Sequence, residues 1–223
     1  MTFRLTTLCL LAAAWPLLAE APAPPVITPD LSALPAHGWE IANREPAAVI
    51  EDGRPAVRFD ERRGPGIALF EGLELANGEI EFDAKGRDID QRSFVGVVFR
   101  AAGVDSYEAV YFRPFNFRSA DPVRRAHAVQ YEKEPEFPWK RLREEHPGRY
   151  EHAVEPAPDP NGWFHARIVV RDRRVRVFVN GAATPSLDIE TVSEPRAGRV
   201  GFWIGDESPG LFANFVVRTD QER

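Results

Sequence analysis

The sequence predicts an all-β protein, a sandwich of two antiparallel sheets, and three observations carry that expectation. The first is the stretch Trp163–Gly181, WFHARIVVRDRRVRVFVNG. Its two runs, Trp163–Val170 and Arg174–Val179, alternate in polarity around the turn Arg171-Asp172-Arg173, and Asn180-Gly181 supplies the positive φ angles of a further type I′ reversal. The second is a succession of short segments, each bounded by Gly, Pro, Asn or Asp. The third is that no helical 3.6-residue periodicity of useful length lies between them.

Taken in order, the predicted strands are Gly38–Asn43, Ala48–Glu51, Pro55–Phe59, Gly66–Phe70 and Gly78–Lys85, then Ser93–Ala101 and Tyr107–Arg113. The regular spacing then fails. Residues 114–125 and 132–161 are rich in proline and charge and read as two long loops, separated by a strand over His127–Tyr131. Loops of that length in a compact domain are often binding loops or lids. A short helical turn is expected at Lys140–Glu145, and strands resume at Arg199–Ile204 and Phe212–Arg218.

The N-terminus reads as an address rather than as part of the domain. Arg4, an apolar run from Leu5 to Leu18 and the small residues Ala19 and Ala21 form the pattern of a secretory signal over residues 1–21, cleaved after Ala19 or Ala21. The run falls short of the roughly 20 apolar residues that a membrane span needs. The proline-rich residues 22–36 read as a tether, and the sandwich is expected over 37–219 in the periplasm or outside the cell. The only cysteine, Cys9, lies in the signal, so neither disulfides nor thiolate metal ligands are available to the mature chain. A net charge of −6 with no basic concentration sets nucleic acid aside as a partner.

Three segments together resemble a known family: Ser93–Arg100 with Tyr107–Arg113, then Trp163–Gly181, then Gly198–Gly205 with Phe212–Val217. Their order is a glycine-containing strand ending in Phe-Arg, a Tyr-Glu strand, a Trp-x-x-x-Arg-Ile strand, an Asn-Gly hairpin, a Gly-x-Val-Gly strand and a Phe-x-Asn strand. This is similar to the concanavalin A-like lectin/glucanase superfamily, and most closely to the 3-keto-disaccharide hydrolase family of secreted bacterial proteins. The resemblance implies a concanavalin A-like jelly roll and an activity on oxidised glycosides. The sequence departs from the family where Trp203, Ile204 and Gly205 replace its usual glutamine and histidine-glycine, and in the long PEFPWKRLREEHPGRYE stretch. Those departures bear on activity more than on fold.

Strand parity then offers a sugar-facing set. With Val97 and Phe99, Tyr107 and Tyr111, Phe164 and Ile168, and Val200 and Phe202 taken as inward, Arg100, Glu108, Arg167 and Trp203 fall on the opposite, concave side. Charged side chains there can bond sugar hydroxyls, and an indole can stack on a pyranose. The plain alternative is an Arg–Glu pair on a solvated face. Gln130 and Trp139 are further candidates for substrate contact, Trp139 and Tyr150 either folding over the cleft or anchoring their loop. For an enzyme cleaving a keto-glycoside, the resemblance calls for a base next to the carbonyl, with Glu108, His127 and His165 as candidates and Arg100 or Arg167 steadying the oxyanion.

Other groups read as structural. Glu79, Glu81 and Asp83 are spaced like a glucanase's paired carboxylates but lack the further acid that chemistry requires. His146 and His152 read as solvated loop histidines, and no His, Cys or carboxylate spacing matches a zinc site. No cofactor is expected, with calcium at Asp206–Gly210 the one alternative to a plain turn. The chain thus reads as a secreted carbohydrate-interacting module. The rivals are an enzyme of the keto-glycoside hydrolase or lyase kind and a structural or protein-binding laminin G-like envelope module.

Overall fold

The computed structural model describes residues 25–34 and 37–220. The expected signal over 1–21 lies outside the described residues. In chain order the strands are β1 Val26–Ile27, β2 Trp39–Ala42, β3 Pro46–Glu51, β4 Arg54–Arg62, β5 Gly66–Glu74, β6 Gly78–Lys85, β7 Val95–Gly103 and β8 Ser106–Phe112. They continue as β9 Val129–Glu134, β10 Glu151–His152, β11 Trp163–Arg171, β12 Arg174–Val179, β13 Leu187–Glu190, β14 Arg199–Ile204 and β15 Ser208–Thr219. One antiparallel sheet runs β13-β12-β11-β6-β15-β4-β3, with β1 also paired to β15, and the other runs β10-β9-β8-β7-β14-β5-β2. The protein is a jelly-roll β-sandwich.

Alternation does the folding. Phe164, Ala166, Ile168 and Val170 of β11 and Val175, Val177 and Val179 of β12 face the same core as Val97, Phe99, Phe112, Phe202 and Phe212, contributed by both sheets. Each fully buried side chain of this size contributes about 1.5–3 kcal/mol. The Asn180-Gly181 turn takes φ angles of 50° and 71° and sends the chain into β13, which pairs back onto β12.

The middle of the seven-stranded sheet, β7, β8 and β14, is buried on both faces. Behind the main core, a second cluster of Ile67, Leu69, Val98, Tyr107, Ala109, Tyr111 and Trp203 lies on its outer side. Strands covered on both faces read as nearly continuous apolar runs, as β7, β8 and β14 do.

Three expectations change. Over its described part, the proline-rich segment is packed rather than a free tether: Val26 and Ile27 pair with Arg218 and Val217, and Leu34 is buried in the core. The strand expected over His127–Tyr131 is β9, which continues to Glu134 into what reads as loop. The first loop holds a short helix, α1 Pro122–Arg125, where the Asp121 carboxylate accepts from the Val123 N–H at 2.8 Å, while the helical turn expected at Lys140–Glu145 is present as α2 Trp139–Glu145.

Candidate active-site cleft

The outer face of the seven-stranded sheet carries a cleft of about 620 Å³, within the ~300–1,000 Å³ of small-ligand sites. Strand register sets out its floor. Trp203 of β14 is opposite Gly96 of β7, Gly96 is opposite Tyr111 of β8, and Tyr111 is opposite Gln130 of β9. The glycine matters. A Cβ at Gly96 would run into the Val110 carbonyl oxygen and Tyr111, so only a bare backbone lets the two flanking rings lean together over β7. Tyr111 and Trp203 stack at 4.3 Å between ring centroids, and the Trp203 indole N–H donates to the Tyr107 hydroxyl at 3.2 Å. Stacking of this kind adds ~0.5–1.5 kcal/mol to area burial.

The walls come from loops. Phe94, Gln91, Pro65 and Asp206 line one side; Trp139 and Arg143 of α2, with His127, line the other. A buried polar network ties the second wall to the floor. Gln130 accepts from the Tyr111 hydroxyl at 3.2 Å and from Arg113, and Arg113 also donates to the His127 carbonyl at 2.9 Å. Arg143 holds Glu151 with contacts of 2.8 and 3.0 Å, and His127 Nε2 stands 3.2 Å from the same carboxylate. Burial pushes the His127 imidazole below its usual range, with Glu151 opposing.

Glu132 completes the floor. It lies between Gln130 and Glu134 on the cleft side of β9, opposite the small Ala109 of β8. Burial pushes its carboxyl up to about 8, reinforced by Glu134 and opposed by Arg113 and the Trp139 backbone N–H. Burial likewise raises the Tyr107 and Tyr111 phenols above their usual range.

The four residues that parity groups together are scattered. Trp203 does lie on the cleft side, but at 6% exposed it is part of the packed floor rather than an open platform. Arg100 sits in a β-bulge at φ 49°, where β7 slips in register against β8, so it turns to the end of the sandwich and donates to the carbonyls of Ala76 and Asp172. Glu108 points between the sheets, because Tyr107 and Tyr111 face the cleft and not the core. It accepts from the Tyr131 hydroxyl at 2.8 Å and from Ser193 at 3.0 Å, 3.6 Å from Arg100. Arg167 does face away from the core, but β11 belongs to the other sheet, and the guanidinium covers Phe178 at 4.4 Å beside Glu79.

His165 shares that far face. Its Nδ1 meets Asp83 at 2.8 Å and its Nε2 faces Glu81 at 3.5 Å, so neither nitrogen reaches the cleft. Gln130 is fully buried beneath the cleft lining, so it positions Arg113 rather than meeting a ligand. His127 and Trp139 do line the cleft. Tyr150 anchors its loop, buried 5.7 Å from Tyr131. Glu79, Glu81 and Asp83 pair with Arg171, Arg218 and Arg54 on the outer face of the eight-stranded sheet.

In the Asp206–Gly210 turn, Asp206 Oδ1 accepts from the Gly64 N–H at 2.5 Å, and Glu207 pairs with Arg63 and Arg92. Among the described residues no three His, Cys, Asp or Glu side chains form a metal-binding group. Sequence reasoning missed Glu132, Tyr107, Tyr111 and Arg113. The signal for Glu132 was available in Val129–Glu134, VQYEKE, once Tyr131 is placed inward.

The profile of the 3-keto-alpha-glucoside-1,2-lyase-like domain matches residues 34–217. The chain belongs to that family. No curated protein matches it. Among solved structures, this member of the lyase-like family is similar to a carbohydrate-binding module CBM66 from Bacillus subtilis, with a TM-score of 0.59, 14% identity and coverage of 82% of this chain and 96% of that one. A putative glycosyl hydrolase from Parabacteroides distasonis gives 0.50 and 14%, covering 82% and 89%. The exoplasmic/lumenal domain of VIP36, solved with Ca2+ and Man3GlcNAc, gives 0.52 and 13%, covering 83% and 85%. At these identities the likeness is one of fold.

Proposed function

We propose that the chain binds an uncharged oxidised sugar, a 3-keto-α-glucoside, in the cleft on its seven-stranded sheet and cleaves it by elimination across C1 and C2. The observation that carries this reading is the pairing of an aromatic floor with guanidinium groups that are already hydrogen-bonded within the protein. Arg113 is bound to Gln130, Arg124 to Asp90 and Arg143 to Glu151. Such a cleft offers apolar area and hydrogen bonds, with two of its three arginines neutralised by carboxylates and the third, Arg113, saturated by Gln130, Tyr111 and the His127 carbonyl. Membership of the lyase-like family supports the choice of a keto sugar.

Elimination suits an enclosed site. The ketone at C3 acidifies the hydrogen on C2, and excluding water strengthens every interaction made with the developing enolate. The test is turnover of p-nitrophenyl 3-keto-α-glucoside by the purified mature chain, read as p-nitrophenol release, with p-nitrophenyl α-glucoside as the unoxidised control. Cleavage of the first and not the second is expected. Binding without turnover would favour a second reading, a non-catalytic carbohydrate-binding module, which the likeness to CBM66 supports. The signal-like N-terminus supports action outside the cytoplasm, to be checked by mass spectrometry of an exported chain that begins after Ala19 or Ala21.

A further inference from the structure

We infer that Glu132 is the proton-transfer residue of this cleft, the group that removes the hydrogen from C2 of the bound sugar; the inference rests on the keto-glucoside reading above. The assignment comes first from elimination among the acids of the molecule. Glu151, at the edge of the cleft, is held by Arg143 and His127. Asp206 is held by the Gly64 N–H. Glu108 lies behind the sheet with Tyr131 and Arg100. Asp83, Glu81 and Glu79 are on the opposite face of the sandwich. Glu134 also lines the cleft without an ion pair but is only half-buried, whereas Glu132, with no arginine, lysine or histidine ion-paired to it among the described residues, is buried and lines the cleft.

The surroundings favour its opening onto a ligand. Its neighbour across β8 is Ala109, so no large side chain covers it from that strand. Glu134 shares its face of β9, Tyr107 and Arg113 come from β8 and its C-terminal end, and Arg143, His127 and Trp139 form the wall beyond. Of these, Arg113 and Glu134 act on its charge in opposite directions, and burial outweighs both, so the carboxyl is more basic than an ordinary one. A base of that strength is better matched to a carbon acid next to a ketone than a carboxylate in water.

The step balances. The Glu132 carboxylate takes the C2 proton, and the C–H electron pair forms an enolate on the C3 oxygen. The enolate re-forms the ketone, a double bond forms between C1 and C2, and the C1–O bond breaks. The leaving group departs as the alcohol once it receives a proton, returned by Glu132 or supplied by water; p-nitrophenolate needs none. Nothing is oxidised or reduced.

The experiment compares wild type, Glu132→Gln and Glu132→Asp with p-nitrophenyl 3-keto-α-glucoside. Glu132→Gln is expected to lose about 10²–10⁴-fold in kcat while still binding methyl 3-keto-α-glucoside in calorimetry under conditions where it is not turned over. Wild-type kcat/KM should rise with pH to a plateau above about 8, and that rise should be absent from the residual activity of Glu132→Gln. Glu132→Asp should restore a pH-dependent rate, and wild type but not Glu132→Gln should exchange the C2 hydrogen of the methyl glycoside in deuterated water. Wild-type turnover by Glu132→Gln, or C2 exchange that survives the substitution, overturns the assignment and leaves the function standing. A wild type that neither binds nor cleaves either compound overturns both.

Discussion

Within one cleft, Trp203 and Glu132 are expected to answer substitution in opposite ways. Trp203 is stacked on Tyr111 and bonded to Tyr107. Trp203→Ala therefore removes packing from both neighbours and should cost about 3–5 kcal/mol in urea denaturation, with ligand binding lost as the floor collapses. Glu132 is a carboxyl that burial holds protonated, so folding favours its neutral form. Its contribution to stability is fully present below its ordinary value of 4.5 and is lost as pH rises through about 8. Glu132→Gln should flatten that decline, seen as a smaller fall in denaturation midpoint between pH 5 and 9. The residue scale is also where sequence reading was weakest. Parity tells inward from outward on a strand, but it assumes that large apolar residues face the core. On β8 that fails, because a second apolar cluster on the cleft side claims Tyr107 and Tyr111 and leaves the carboxylate of Glu108 inside.

At the scale of elements, strand existence was legible because turns and alternation are local signals. The hairpin of β11 and β12 and the Asn180-Gly181 reversal appear where the residues place them. Which sheet a strand joins is not local, and that is why Arg167 and His165, though outward as expected, lie on the face opposite the cleft. The bulge at Arg100 shows a second limit: nothing in the run VGVVFRA marks where register slips. Two predictions belong here. Gly96→Ala places a methyl group against the Val110 carbonyl and Tyr111, and should cost about 1–3 kcal/mol by overpacking, measured by urea denaturation, with loss of the near-ultraviolet signature of the stacked rings. On the far face, His165 pins β11 to Asp83 on β6, and that hydrogen bond raises its imidazole above the usual value. The stabilisation is fully present below the unfolded imidazole's 6.5 and disappears as pH rises through the elevated folded value. His165→Ala should abolish this pH dependence and leave cleavage of the keto-glucoside unchanged.

For the whole molecule, the core shared by both sheets and the double-sided burial of β7, β8 and β14 tie the cleft to the global fold. Far-ultraviolet and near-ultraviolet circular dichroism should therefore report one coincident unfolding transition, and separate transitions would show that the cleft sheet comes apart on its own. The cleft also draws on residues as far apart as Pro65 and Asp206, so its composition could not be read from any single motif. The placing of the indoles has one more consequence. Of the five tryptophans, Trp203 and Trp139 line the cleft, whereas Trp39 packs beside Phe202 and Trp163 lies under Arg54 on the far face. The molecule thus carries its own optical label: a sugar entering the cleft replaces water beside the exposed indole of Trp139, so arrival of the ligand is readable as intrinsic fluorescence without attaching a dye.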